Sequence, residues 1–120
     1  MKHPEQTGKI IEACFEVHNE LGIGFLEKVY EGALVIALRD KGLAANQQVP
    51  LKVRFRNHVV GDYFADIIVA DDVLVELKAV KALAPEHQAQ TINYLKATGI
   101  PTGLLINFGK PGLEIRRLHS

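Results

Sequence analysis

The sequence has no tryptophan, one methionine and one cysteine, and aromatic residues make up 7% of it. A lone thiol, Cys14, excludes an intrachain disulfide framework and a cysteine-based zinc site. Its neighbours Ile10, Ile11, Phe15 and Val17 recur at helical spacing, so core packing is its expected role. No apolar run approaches the ~20 residues of a membrane helix, and Met1-Lys2-His3-Pro4-Glu5-Gln6 carries no apolar signal region, which points to a cytoplasmic protein without membrane association. An excess of either charge is also missing, with 14 Lys and Arg against 14 Asp and Glu. The basic surplus that accompanies non-specific nucleic-acid binding is therefore absent over the whole chain, and any such contact must use a local patch, another subunit or a partner. The few aromatics fall mostly in apolar patterns and offer no evident stacking platform for single strands. Linkers, repeats and low-complexity tracts are lacking too, so the 120 residues, 48% of them apolar, are expected to form one domain over 1–120.

What is present is periodic. Ile10, Ile11, Cys14, Phe15, Val17, His18 and Leu21 predict a helix over about 7–21 that stops at Gly22. A second helix is expected over about 25–41, with Leu26, Val29, Tyr30, Ala33, Leu34, Ala37 and Leu38 inward, Gly42 closing it and Glu27 in its first turn. Gly24 supplies backbone freedom at the junction. The period then becomes two. Val49, Leu51, Val53 and Phe55 alternate with Lys52, Arg54 and Arg56 as a half-buried strand, Asn57-His58 turns, and strands come next over Val59–Val69 and Val73–Leu77. Pro85 opens a helix to about Thr98, stopped by Gly99 and Pro101. Leu104-Leu105-Ile106 reads as a strand buried on both faces and Leu113–Leu118 as an edge strand. The expected order is ααβββαββ, an α/β layer protein.

Three polar residues interrupt these strands: Asp66, then Glu76 and Lys78 around Leu77. Burying them unpaired is costly. Period two puts Glu76 and Lys78 on one face. Asp66 joins them only if the turn has odd parity, as a loop Ala70-Asp71-Asp72 closed by Val69 and Val73 provides. Two carboxylates and the Leu77 carbonyl are then hard oxygen ligands suited to Mg²⁺, with Lys78 placed to stabilise charge on a reacting phosphate or to orient the attacking water. The competing reading is an ordinary Glu76–Lys78 ion pair on a solvated face.

The segment Gly24-Phe25-Leu26-Glu27-Lys28-Val29-Tyr30 resembles the signature of the GxxExxY proteins, a family grouped with the PD-(D/E)xK nuclease superfamily. Tyr63-Phe64-Ala65-Asp66 is similar to the strand bringing that superfamily's first acid, and Val75-Glu76-Leu77-Lys78-Ala79 to its E-x-K strand. In His87-Gln88-Ala89-Gln90-Thr91-Ile92-Asn93-Tyr94-Leu95, Gln90 and Tyr94 match the Q-x3-Y of RecB-like and Cas4-like nucleases. The resemblance runs from the first helix to Asn107-Phe108-Gly109. It implies a restriction-endonuclease-like core, a mixed β-sheet flanked by α-helices. It also implies a Mg²⁺- or Mn²⁺-dependent phosphodiesterase acting on DNA or RNA, without an organic cofactor. Asp66, Glu76, Lys78, Gln90 and Tyr94 would then be its catalytic set. Glu27 reads equally as a further carboxylate for metal or water and as a helix-dipole partner. Gln90 and Tyr94, one turn apart, share a helix face.

Other polar residues carry weaker signals. His3 and His119 belong to the termini, His58 to a turn, and His18 to the inward stripe of the first helix. His87 reads as a phosphate contact or as a solvated first-turn residue. Tyr30 is expected to pack. Lys52, Arg54 and Arg56 form the one basic stripe, a solvated outer face or a phosphate surface. The rival functional class is a noncatalytic module that keeps the nuclease fold to bind nucleic acid or protein. A homodimer acting on two strands is a third possibility.

Overall fold

In a computed structural model, residues 4–120 are described; the expectation for His3 falls outside them. The elements are α1 (Pro4–Leu21), α2 (Glu27–Asp40), β1 (Ala45–Phe55), β2 (His58–Val69), β3 (Val73–Lys78), α3 (Pro85–Thr98), β4 (Thr102–Asn107) and β5 (Glu114–His119). This is the expected order ααβββαββ. The strands form one sheet in the order β1-β2-β3-β4-β5. All neighbours are antiparallel except β3 and β4, which the α3 crossover makes parallel.

Two apolar clusters divide the helices between the sheet's faces. Ile10, Cys14 and Val17 of α1 and Tyr30, Leu34 and Leu38 of α2 pack on Val73, Val75 and Leu77 of β3 and on Leu104 and Ile106 of β4. On the other face Tyr94 and Leu95 of α3 pack with Ile68 and Leu74. Because side chains alternate along β3, Glu76 and Lys78 share Leu74's side, the α3 face. The buried segment Thr102–Asn107 has all six residues below the surface, as a central strand covered on both faces requires.

The junction ahead of α2 explains its glycine and tyrosine. Gly24 has φ +109°, a value open to glycine at little cost. The Tyr30 hydroxyl donates to Gly22 O at 2.7 Å and accepts from Phe25 N–H at 3.3 Å, while its ring stacks on Phe108 at 4.8 Å. Tyr30 therefore packs, as expected, and also pins the turn that starts α2.

Several expectations change. β1 begins at Ala45, four residues earlier than Val49, because Ala45 pairs with Val69 and Gln47 with Ile67 although the side chains between are polar. The hairpin turn is Arg56-Asn57, both at positive φ (49° and 66°), with His58 already in β2. On α2 the inward assignment of Leu26 and Val29 fails: they are 80% and 43% exposed, since they lie at the helix start beyond the sheet's cover. The aromatics are not mostly in the core either. Phe15, Phe25, Phe55, Tyr63 and Phe64 are all exposed, the last three on the far half of the β1–β2 hairpin, which α1 and α2 leave uncovered.

Candidate functional site

Pairing between β2 and β3 runs Val69 with Val73, Ile68 with Leu74 and Ile67 with Val75, and there it stops. The loop Ala70-Asp71-Asp72 thus has the odd parity expected from the sequence. The next step in this register sets Asp66 opposite Glu76, but the strands have parted. Side chains replace the ladder: Asp66 N–H donates to Glu76 Oε2 at 2.7 Å, and Leu77 N–H donates to Asp66 Oδ2 at 2.8 Å. Each carboxylate caps the opposite strand across a fork in the sheet.

Gln48 marks the cause of the parting. Its φ of +49° is a left-handed value, strained for a residue with a Cβ. Before it, odd-numbered residues such as Ala45, Ile67 and Val69 pack on the α1/α2 face; beyond it, Val49, Leu51, Val53 and Ala65 pack on the α3 face. The hairpin changes face at the row holding Gln48 and Asp66, and β2 swings away from β3. Gln48 Nε2 donates to Glu31 Oε1 at 2.9 Å and lies 3.4 Å from Asp66 Oδ1, while Gln47 Nε2 donates to Glu31 Oε2 at 3.0 Å. Glu31, 5% exposed on α2, is thereby drawn into the fork.

The electrostatics are unfavourable for anions. Burial, then the charge of Asp66, pushes the Glu76 carboxyl up to about 8; Glu76 is 4% exposed. Asp66 is raised too, chiefly by burial, with Glu31 and Glu27 adding repulsion. Lys78 counters both through space. The ordinary Glu76–Lys78 ion pair is not what forms: ion pairs of the described residues lie at Lys41 with Glu12 and Glu16, Lys52 with Asp62, and Arg116 with Glu114.

Among the described residues no three His, Cys, Asp or Glu side chains converge tightly enough to hold a metal by themselves. The donors that do meet are two carboxylates and, because a strand residue's C=O leaves by the same edge as its N–H, the Leu77 carbonyl. Lys78 O points the other way and accepts from Phe108 N–H at 2.8 Å. Hard oxygens of two carboxylates that no ion pair holds among the described residues fit Mg²⁺ or Mn²⁺, which keep waters and take few protein ligands.

The other expected residues divide. Tyr94, 7% exposed, faces the fork closely enough that, after burial, the charges of Glu76 and Asp66 help raise its hydroxyl. Gln90 is exposed and lines with Tyr94 a groove between α3 and the hairpin, into which Lys52 and Arg54 also extend. Lys52 is tied to Asp62 at 2.7 Å. Arg56 stands apart in the turn, its guanidinium 4.8 Å from the Phe55 ring centre. Glu27 is exposed at the start of α2. His87 serves as a helix cap: its Nδ1 accepts from Ala84 N–H at 3.0 Å where Ala84 has no capping side chain. His18 is a bonded core histidine, 2.7 Å from Lys110 O.

Glu31 and Gln48 went unrecognised in the sequence. A signal for Glu31 existed: it falls four residues after Glu27 and three before Leu34, a carboxylate on an apolar stripe. Gln48 left none, since its role depends on a backbone angle.

No helix among the described residues is long and apolar enough to cross a membrane. Neither the curated proteins nor the solved structures compared with the chain contain a match. Residues 4–118, however, match the family model described as the PD-(D/E)XK nuclease superfamily, and with almost the whole chain covered the protein belongs to that superfamily.

Proposed function

We propose that this protein is a Mg²⁺- or Mn²⁺-dependent phosphodiesterase that hydrolyses DNA or RNA. The observation that carries this reading is the fork at the end of the β2–β3 ladder, where Asp66 and Glu76 face one another with their charge unanswered by any ion pair among the described residues. In this reading Asp66, Glu76 and the Leu77 carbonyl hold the ion, with Glu31 and Glu27 adding negative charge around it. Such an ion supplies Lewis acidity toward a phosphate oxygen and a more acidic water.

The chain's own groups do the rest. Lys78, beside both acids yet bound to neither, stabilises negative charge that develops on the phosphate and orients the attacking water. Tyr94 and Gln90 hold phosphate oxygens from the α3 side. Gln48 fixes the acids by bonding two of them at once, so that the ligand oxygens are arranged before the substrate arrives.

The test is hydrolysis of labelled single-stranded and duplex DNA and RNA with Mg²⁺, Mn²⁺ or EDTA. Cleavage that needs the metal and is lost in both Glu76→Ala and Lys78→Ala is the expected result. Cleavage undiminished in either variant, or none of any substrate with either ion, contradicts the proposal.

A further inference from the structure

The hairpin and α3 enclose a groove of about 840 Å³ with Tyr94 in its lining. That volume lies within the roughly 300–1,000 Å³ of sites for small organic ligands, the size class of one or two nucleotides rather than of a double helix. Tyr63, 45% exposed on β2, lines it. Its ring leans on Tyr94, with centroids 5.6 Å apart and planes at 43°. An exposed aromatic backed by a buried one is a rigid surface, held without the entropy cost of ordering a free side chain. The lining also holds Gln90 and Asn93, which both donate and accept hydrogen bonds, and the cations Arg54 and Lys96. Glu86 is the acid in the lining.

We infer that this groove takes a single strand of nucleic acid, with a base stacked on Tyr63 and the backbone led past Arg54 and Lys96 toward the acids at the fork. Tyr94 joins the two places, since it lines the groove and packs with Leu74, which precedes Glu76 by two residues on the same face of β3. Three arguments favour a single strand over a duplex. The cleft is closed on two sides by the hairpin and the helix. An aromatic face offered to a base needs that base unstacked. A chain of zero net charge lacks the overall positive excess on which duplex binding without sequence readout draws. The inference rests on the nuclease reading for the cleavage of a bound strand, but not for binding itself.

The experiment is fluorescence anisotropy in EDTA with a labelled single-stranded oligonucleotide and with the duplex of the same sequence. The single strand should bind at least about tenfold more tightly. Tyr63→Ala should weaken that binding by about 5- to 150-fold, the range for loss of one stacked base, whereas Tyr63→Phe should not. Lys96→Ala should reduce the slope of log affinity against log salt by about 0.7, one phosphate contact on a single strand. Circular dichroism checks the fold of each variant, and Lys96, exposed on α3, carries the test if Tyr63→Ala does not fold. Equal or tighter duplex binding, or a folded Tyr63→Ala that binds like the wild type, overturns the inference. Single-strand binding by a protein that binds no Mn²⁺ keeps this inference and sinks the nuclease reading, so the two failures are distinguishable.

Discussion

Two carboxylates stand near the ends of the strands that flank β4 and meet opposite treatment. Glu114, at the start of β5, accepts from Asn107 Nδ2 at 3.0 Å and from Leu83 N–H at 3.2 Å, and pairs with Arg116 at 3.1 Å. These bonds, led by that of Asn107, hold its carboxyl below the usual range. Glu76 accepts one backbone N–H, faces Asp66, and is pushed up to about 8. The first carboxylate is part of a closed network. Asn107 itself, fully buried, accepts from Val80 and Gly109 N–H and donates to Val80 O, so it fastens the chain that leaves β3 to the end of β4. A Cβ at Gly109 would lie 2.4 Å from Val80 N and O, which is why that closure needs glycine. The first place is a polar cluster that stabilises the fold; the second costs stability, as the proposed ion site would.

Substitution should separate them, and the structural cluster should respond most. Asn107→Ala orphans buried partners at Val80, Gly109 and Glu114, and we expect a loss of about 3–5 kcal/mol in urea unfolding with no dependence on metal. A loss below about 1 kcal/mol would mean that water satisfies those groups.

The second effect has the opposite sign. A carboxyl raised in the folded state imposes no penalty below its unfolded value of 4.5, an increasing penalty as pH rises, and the full penalty above about 8. The metal-free wild type should therefore lose stability between pH 4.5 and 8, with Asp66 adding in the same direction. Glu76→Gln should flatten that decline and be more stable than the wild type at pH 8 by on the order of a few kcal/mol. Parallel pH profiles for the two proteins would show that the fork is not strained by charge. Smallest should be Gln48→Ala, expected to weaken Mn²⁺ binding by about 10- to 100-fold, as loss of a residue that orients ligands does. Gln48→Gly should match it in affinity while losing less stability, because glycine adopts φ +49° without strain.

The sequence disclosed a good part of this and withheld a definite remainder. Helical spacing located all three helices, and the parity argument for residues 70–72 anticipated the register that sets Asp66 against Glu76. These signals are local: a period, a stop residue, a loop length. Glu31, Gln47 and Gln48 escaped because their meaning arises where α2, β1 and β2 come together, and polar residues near a strand start look like loop. The exposed Tyr63 was hidden for a related reason. An aromatic in an alternating strand is assigned to the core by pattern, and only the tertiary fold reveals that Tyr63 stands at an open groove beside α3.

The most direct test of the central claim, that the uncompensated acids at the fork are a cation site, is calorimetric titration of Mn²⁺ at pH 7 into the wild type and Glu76→Ala. Two buffers of different ionisation heat would be used. The account predicts saturable binding to the wild type accompanied by proton release, since Glu76 must lose its proton to bind the ion, and no binding to the variant. Equal binding to both proteins would place any metal elsewhere and contradict it.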